Sequence, residues 1–371
     1  MPPIMGAGAF IMAEITGIPY QEIAIAAIIP AVLYFVSVFF MVDFEAAKLG
    51  MRGMREDEIP KLARMIRQVY LFIPIVILIA ALFAGYSVIR AGTLATIAAA
   101  VVSWMPPMLD RAFGWSSQDA TPMGLRAVLR AFELAGQMSI QIIAVCACAG
   151  IIVGVISLTG VGARFSNLLL GLAGVSQLLA LFFAMCIAIL LGMGMPTTAA
   201  YAVAASVVAP GLVELGIPQL TAHFFVFYFA VLSAITPPVA LASYAAAGIS
   251  GANAMETSVA SFKVGIAAFI VPFMFFYNSA LLMDGTWFEV TRAALTATLG
   301  VFLLSSGVQG WILGGRAAWY LRALLIVGAL TLIEGGWATD LIGLALAALG
   351  LGIQKLLNPD PDAAIPVRGA D

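Results

Sequence analysis

Long apolar stretches, separated by short polar segments, dominate the pattern of the chain. A helix of about 20 apolar residues crosses the hydrocarbon core of a bilayer, and most of the apolar stretches approach or reach this length. The candidate spans are residues 23–42, 70–89, 91–105, 139–158, 175–191, 264–282, 293–313, 319–333 and 341–351. The pattern therefore predicts an all-α polytopic membrane protein.

Four further apolar segments are too short to cross a bilayer alone. They are residues 2–15, 198–213, 224–234 and 237–249, the first and last of which begin with two prolines. Such pieces are typical of broken helices and of the arms of a re-entrant helical hairpin. We expect residues 197–235 to form one hairpin, with its turn at Ile217 and Pro218.

Two clusters of helix-breaking residues interrupt the apolar sequence. The first reads Gly-Met-Gly-Met-Pro-Thr-Thr over residues 192–198, and the second reads Ile-Thr-Pro-Pro over residues 235–238. Irregular backbone persists in hydrocarbon only where it is buried in protein or lines a site, because each unpaired backbone group costs several kcal/mol. Two such breaks predict an ion or substrate site near the membrane midplane. Kinks that only pack between helices are the alternative interpretation.

The residues of the breaks suit both a cation and an anion. Thr236 precedes two prolines, which cannot donate to the carbonyls of the preceding turn. Those carbonyls lie at the negative end of a helix and, with the Thr236 hydroxyl, predict cation ligands. The half-helices after Pro196 and Pro238 present unpaired N–H groups, which predicts an anion site. We expect Thr197 and Thr198 either to cap the first of these helices or to bind a carboxylate.

Composition narrows the class of protein. Hydrophobic residues make up 63% of the 371 residues and charged residues 10%, whereas soluble domains carry roughly 25% charged residues. A net charge of −2 offers no basic face, so no nucleic-acid partner is expected. The three cysteines are expected to pack, because Cys146 and Cys148 project from different sides of a helix. No catalytic arrangement stands out, so an enzyme is not expected, and no cofactor is expected beyond a coupling ion.

Two isolated polar residues have both a functional and a structural interpretation. Glu14 follows an apolar segment and is a functional candidate by default, unless it lies at a helix end in water. His223 is the only histidine and a candidate proton carrier. Its position shortly after Pro218 favours an interfacial histidine without a special role.

The distribution of charge predicts orientation. Residues 43–68 contain six lysines and arginines, so the positive-inside rule places this segment in the cytoplasm. Arg126 and Arg130 follow two further crossings and are expected to be cytoplasmic anchors. Residues 354–371 contain three prolines and no apolar run, and we expect them to form a disordered tail.

An imperfect internal repeat is visible. Residues 2–17 begin with Pro-Pro and end with Ile-Thr-Gly, and residues 237–251 begin with Pro-Pro and end with Ile-Ser-Gly. Glu22 and Glu256 follow at equivalent positions. Repeated broken helices are typical of inverted-repeat transporters. A hairpin precedes only the second copy, so we expect the chain to open in the middle of a structural unit.

Five motifs follow the pattern of one known family. They are PPIMGAGAFIMAE at residues 2–14, DFEAAK at 43–48, GMPTTAAY at 194–201, HFFVFY at 223–228 and ITPPVALA at 235–242. With these motifs the chain resembles the large membrane subunit of tripartite ATP-independent periplasmic (TRAP) transporters, and more closely the fused permeases that work with TAXI-type binding proteins. The resemblance covers most of residues 1–283, which are interpreted as the permease region. Residues 284–353 are interpreted as additional membrane helices.

The resemblance implies an elevator-type ion transporter. A transport domain, made of residues 1–17 and 175–262, moves against a scaffold that small-subunit helices or a further part of the permease complete. It implies sodium as the coupling ion, a periplasmic solute-binding protein as a partner, and a small organic anion of the carboxylate class as the substrate. It also implies the bacterial inner membrane, with lipid around the spans.

The resemblance and the physical argument together give the candidate site residues. The sodium positions that the resemblance implies are Gly192, Gly194, Ser233, Thr236 and Val239 for one site and Pro3 for another. The substrate positions are Pro196, Thr197, Thr198 and Pro238. The competing hypothesis is a truncated or structural membrane subunit that has no transport activity of its own.

Overall fold

The computed structural model describes residues 8–51, 53, 69–105, 124–312 and 314–357, and within them the chain is almost entirely helical. In order, the described helices begin with α1 (Gly8–Thr16), α2 (Tyr20–Ala26), α3 (Ile28–Lys48), α4 (Ile73–Phe83), α5 (Val88–Val102), α6 (Leu125–Thr159), α7 (Val161–Ala173) and α8 (Gln177–Gly192). The remaining helices are α9 (Thr197–Glu214), α10 (Gln219–Leu232), α11 (Leu241–Ser250), α12 (Ala254–Val264), α13 (Ile266–Tyr277), α14 (Trp287–Gln309), α15 (Trp319–Glu334) and α16 (Trp337–Leu357). Short 3-10 turns cover Val69–Phe72, Ser233–Ile235 and Ser279–Leu282, and a small antiparallel pair joins β1 (Trp311–Ile312) to β2 (Gly315–Arg316).

Several of these helices are suited to a bilayer. Within the described part of the chain, five are long and apolar enough to cross a membrane, namely Tyr20–Lys48, Thr197–Glu214, Ala254–Tyr277, Trp287–Gln309 and Trp337–Leu356. A sixth is obtained if the pair Gly150–Ile156 and Val161–Ala173, which is bent by 66°, counts as one span. The prediction of an all-α polytopic membrane protein is therefore confirmed.

Helices α9 and α10 form the centre of the molecule. Most side chains of both helices are buried, and Tyr201, Phe224, Phe225 and Phe229 are among the largest that are fully buried. Short connections join α8 to α9 and α9 to α10, and all three helices pack against one another. Residues 197–235 therefore fold as a pair of packed helices. A second such pair, α8 with α9, has the first predicted break as its turn. The prediction that residues 198–213 are too short to cross a bilayer is wrong, because α9 is one of the five described helices that are long and apolar enough to do so.

The two copies of the repeat fold into the same order of elements. Helices α1 and α11 each end at a glycine with positive φ, Gly17 at 70° and Gly251 at 72°. A long span interrupted at one residue follows in each copy, α2 with α3 in the first and α12 with α13 in the second. Glu22 and Glu256 lie in the first turn of the helix that follows. Residues 2–7 of the first copy lie outside the described residues.

Some predicted boundaries are wrong. Residues 70–89 are not one span, because α4 ends at Phe83 and Ser87 begins a new helix by accepting a hydrogen bond from the Arg90 N–H at 3.4 Å, as an N-cap serine does. The span predicted at 264–282 begins earlier, at Ala254, and ends at Tyr277. The predicted tail begins too early, since α16 continues to Leu357. The rest of the tail and most of residues 43–68 lie outside the described residues.

The C-terminal helices attach to the long span α3. Helix α14 packs along α3 and α15, and α15 packs along α16. At the end of α14, the buried Gln309 side chain donates through Nε2 to the carbonyl of Met41 at 3.0 Å. Gln354 donates in the same way to the carbonyl of Ile312 at 3.4 Å. One end of α3, α14 and α16 is therefore held together by hydrogen bonds.

Candidate functional site

Two interruptions of helical structure define the candidate site. The first is the connection of residues 193–196, in which Met193 adopts an extended conformation and Gly194 has a φ of +77°. The second covers residues 233–240, where α10 tightens into a 3-10 turn and Thr236 becomes extended. Both breaks fall where the sequence placed them, because glycine permits positive φ and proline cannot continue a helix.

The two breaks lie side by side. A Cβ atom added at Gly192 would lie 2.8 Å from the carbonyl oxygen of Ala230 and 2.8 Å from Oγ of Ser233. A Cβ atom added at Gly194 would lie 3.6 Å from Cγ1 of Val239. The structure thus brings together four of the predicted cation positions, and it adds Ala230, which no sequence pattern indicated.

The second break leaves backbone oxygens without helical donors. Pro237 and Pro238, joined by a cis peptide bond, have no N–H, so the carbonyl of Ala234 loses the partner that a continuing helix would provide. The Thr236 N–H donates to the carbonyl of Ser233 at 3.2 Å. The break therefore combines carbonyl oxygens with the negative end of α10.

Two hydroxyl groups line the same turn. The Ser233 hydroxyl donates to the carbonyl of Ala230 at 2.6 Å, and the Thr236 hydroxyl donates to the carbonyl of Leu232 at 2.8 Å. Each hydroxyl has used its only proton in this way, so its lone pairs are left to accept. An oxygen with its proton directed away is suited to a hard cation.

Helix N-termini lie at the other side of both breaks. Helix α9 begins at Thr197 with Pro196 at its N-cap, and α11 begins at Leu241 with Ala240 at its N-cap, in both cases without a side-chain cap. The first N–H groups of a helix have no partner within it, so both ends can attract an anion. The expectation that Thr197 or Thr198 caps α9 is wrong, because both already lie inside the helix.

The predicted substrate positions differ in exposure. Pro196, Thr197 and Pro238 are exposed, and Thr198 is half-buried. The carbonyl of Pro238 accepts a hydrogen bond from the Tyr244 hydroxyl. Among the described residues no hydrogen bond joins Thr197 or Thr198 to Pro238. Pro3 lies outside the described part of the chain, so its predicted role stays a prediction.

The polar pair of Tyr201 and His223 was not expected from the sequence. His223 is only 6% exposed, and its Nδ1 lies 2.8 Å from the Tyr201 hydroxyl. His223 is therefore a buried residue with a specific hydrogen-bond partner, which the sequence did not indicate. The nearby Pro218 suggested a surface turn, but His223 lies one helical turn inside α10. In the sequence, the only indication of this pair was a tyrosine, Tyr201, directly after the small residues 197–200.

The isolated charged residues lie apart from the breaks. Glu14 is exposed in the last turn of α1, and Arg126 and Arg130 are exposed at the start of α6. Over the described ranges, no three His, Cys, Asp or Glu side chains come together to hold a metal ion. A cation at the breaks would thus depend on backbone and hydroxyl oxygens.

Comparison with known proteins identifies the family. Residues 1–290 match the family described as "Tripartite ATP-independent periplasmic transporter, DctM component", which is most of the 371 residues. No curated protein and no solved structure matches the chain. The matched part includes both copies of the repeat and both breaks, whereas nearly all of α14 and the helices after it lie beyond the match. The chain belongs to the DctM family of TRAP transporter membrane components and is a multi-pass membrane permease.

Proposed function

We propose that this permease imports a small organic anion of the carboxylate class across the bacterial inner membrane, driven by a sodium gradient. The anion is delivered by a periplasmic binding protein, and small-subunit helices complete the assembly. One observation carries the proposal: the two helix breaks, distant in sequence, contact each other through Gly192 and Ser233.

The oxygen atoms at the second break support sodium as the cation. The hydroxyls of Ser233 and Thr236 and the carbonyl of Ala234 are uncharged oxygen ligands, and a hard monovalent cation accepts such ligands. The close approach at Gly192 places the end of α8 beside them. A carboxylate ligand is not required, because the ends of α8 and α10 both contribute partial negative charge.

The anion is supported by the beginnings of α9 and α11. Both N-termini lack a side-chain cap, so their N–H groups are available to an incoming carboxylate. Thr197 is exposed beside the first of them and adds a hydroxyl donor. The cation then lies at the C-terminal ends of α8 and α10, and the anion lies at the N-terminal ends of α9 and α11, which follow the same two breaks.

Coupling follows from this shared backbone. A cation bound between the end of α8 and residues 233–236 holds the two breaks in one arrangement. The same breaks set the position of the N-termini of α9 and α11, so cation binding organises the anion site. A ligand favours a conformation only as far as it binds that conformation better, and here the cation and the anion favour the same one.

Replacement of Thr236 tests the cation site. Thr236→Val keeps the shape of the side chain and removes the oxygen, so we expect sodium-dependent uptake to fall by at least tenfold. Thr236→Ser keeps the oxygen and should retain most uptake. The measurement is uptake of radiolabelled mono- and dicarboxylates into proteoliposomes that contain the permease, its small-subunit helices and its binding protein.

A matched control is available on α14. The Thr298 hydroxyl also donates to a carbonyl four residues earlier, that of Ala294, at 2.7 Å. Thr298→Val makes the same chemical change away from both breaks and should leave sodium dependence unchanged. Undiminished sodium-dependent uptake by Thr236→Val would contradict the proposed cation site.

A further inference from the structure

A buried polar pair links α9 to α10, one helical turn along α9 from the first break. The Tyr201 hydroxyl lies 2.8 Å from Nδ1 of His223, and both residues belong to the buried centre of the molecule. A buried polar group without a hydrogen-bond partner costs free energy. Each of these two side chains therefore depends on the other for its partner.

The pair is surrounded by close packing that extends to α1. The ring of Phe227 lies edge to face with Tyr201, with 5.3 Å between ring centroids. Phe227 also packs on Gly8, where an added Cβ atom would overlap Cε2 of the ring. At the far end of α1, Gln219 donates through Nε2 to the carbonyl of Thr16 at 3.4 Å. Helices α1, α9 and α10 thus form one packed unit around the pair.

The position of the pair relates it to both breaks. Tyr201 lies four residues after Thr197, one turn along the helix that begins at the first break. His223 lies on α10, the helix that ends at the second break. The hydrogen bond therefore joins the helix that leaves one break to the helix that enters the other.

We propose that Tyr201 and His223 are a positioning pair that fixes α9 against α10 and so sets the spacing between the two breaks. In this arrangement Tyr201 donates, and His223 accepts at Nδ1 and carries its hydrogen on Nε2. The inference rests on the proposed function and deepens it, because the spacing that the pair sets is the spacing of the cation and anion sites. It assigns the only histidine of the chain to positioning rather than to proton transfer.

The single histidine permits a direct spectroscopic test. In protein labelled with ¹⁵N-histidine and purified without a histidine tag, His223 gives the only imidazole signals. Tyr201→Phe removes the donor and should shift the Nδ1 signal. Tyr228→Phe is the matched control, since Tyr228 lies on the same helix α10 and packs on Phe275; it should leave the signal in place. An Nδ1 signal that does not move in Tyr201→Phe would overturn the hydrogen bond.

Hydrogen exchange tests the positioning role without any transport assay. Peptides covering residues 192–200 and 233–240 should exchange several-fold faster in Tyr201→Phe and in His223→Leu. His223→Asn keeps an acceptor oxygen near the position of Nδ1 and should restore much of the protection. Exchange at the breaks that is the same in Tyr201→Phe, His223→Leu and Tyr228→Phe would overturn the proposal.

Sodium titration separates this inference from the proposed function. If both hold, Tyr201→Phe should raise the sodium concentration for half-maximal uptake several-fold, with the maximal rate largely kept. Faster exchange with an unchanged sodium requirement would show that the pair does not set the site and would overturn the inference. A wild-type protein without sodium dependence would refute the proposed function, and the exchange experiment would then decide the spacing role by itself.

Discussion

At Gly192 the two broken helices approach so closely that one methyl group decides whether they fit. The added Cβ of Gly192→Ala would lie 2.8 Å from two oxygens, those of Ala230 and Ser233, and relieving such overpacking costs about 1–3 kcal/mol. We expect the helices to separate there and sodium-dependent uptake to be lost, while the protein still folds. Uptake in proteoliposomes and thermal unfolding in detergent measure the two effects.

The control for this substitution lies in α7. Gly171 is also helical, but a Cβ atom added there meets no atom within 4 Å, so Gly171→Ala should leave uptake unchanged. Alanine is the better helix former by about 1 kcal/mol, so stability should not fall. Normal uptake by Gly192→Ala would mean that the contact between the breaks is not needed.

At Gly194 the backbone conformation, rather than a lack of space for a side chain, restricts substitution. Its φ of +77° costs an L-residue about 1–2 kcal/mol, whereas its nearest neighbour, Val239, would lie at an ordinary contact distance. Asparagine tolerates this conformation better than alanine, and a β-branched residue tolerates it worst. We therefore expect uptake to decrease in the order Gly194→Asn, Gly194→Ala, Gly194→Val. Equal uptake by all three variants would contradict this explanation.

At the scale of elements, an ion pair joins the start of α14 to the start of α16. Nη1 of Arg292 lies 3.3 Å from Oδ2 of Asp340, and its Nη2 donates to the carbonyl of Gly335 at 2.8 Å. The Arg292 guanidinium carbon also lies 4.4 Å from the centroid of the Trp337 ring. The two charged side chains are 19% and 8% exposed. Removing one partner of a buried pair costs about 3–5 kcal/mol, because the other charge is left buried and unpaired. We expect Arg292→Met to lower stability by about 3 kcal/mol.

A double variant distinguishes the pair from simple loss of packing. Arg292→Met combined with Asp340→Leu removes both charges, so much of the lost stability should return. Thermal unfolding of the wild type, the two single variants and the double variant completes the cycle. Additive losses would show that Arg292 and Asp340 act independently.

The sequence predicted elements better than it predicted contacts between them. Long apolar runs identified most spans, and glycine and proline located both breaks, because these signals are local. The end of α4 was missed although Gly85, with a φ of 82°, and the N-cap Ser87 mark it, because both residues lie within an otherwise apolar sequence. The contact of Gly192 with Ala230 could not be predicted, since an alanine in a small-residue helix carries no signal of its partner. The burial of His223 could not be predicted either, because tertiary packing, not the nearby proline, determines it.

At the scale of the whole molecule, the C-terminal helices indicate how the protein lies in the membrane. Helix α14 has 23 residues and is about 34 Å long, which matches the hydrocarbon core. Exposed aromatic residues mark both ends of the unit, with Trp287 and Trp337 at one end and Trp319 at the other. Tryptophan is enriched at the two membrane interfaces, so α14, α15 and α16 each extend from one interface towards the other.

Hydrogen bonds relate this unit to the charged segment after α3. Gln309 contacts the carbonyl of Met41, so the end of α14 lies beside the end of α3, which leads into residues predicted to be cytoplasmic. Arg316 and Lys355 lie at this same end of the unit, as the positive-inside rule requires. We therefore expect the turn before α15 to face the cytoplasm and the turn before α16 to face the opposite side.

Cysteine labelling tests this orientation with two matched substitutions. In a variant without Cys146, Cys148 and Cys186, a membrane-impermeant maleimide should label Ala338→Cys, at the start of α16, in intact cells. It should label Ala318→Cys, which precedes α15, only after the membrane is opened, because the apolar α15 separates the two positions. Labelling of both from the outside would mean that α15 does not cross the bilayer. Labelling in the reverse order would keep the crossing and invert the predicted orientation of the whole permease.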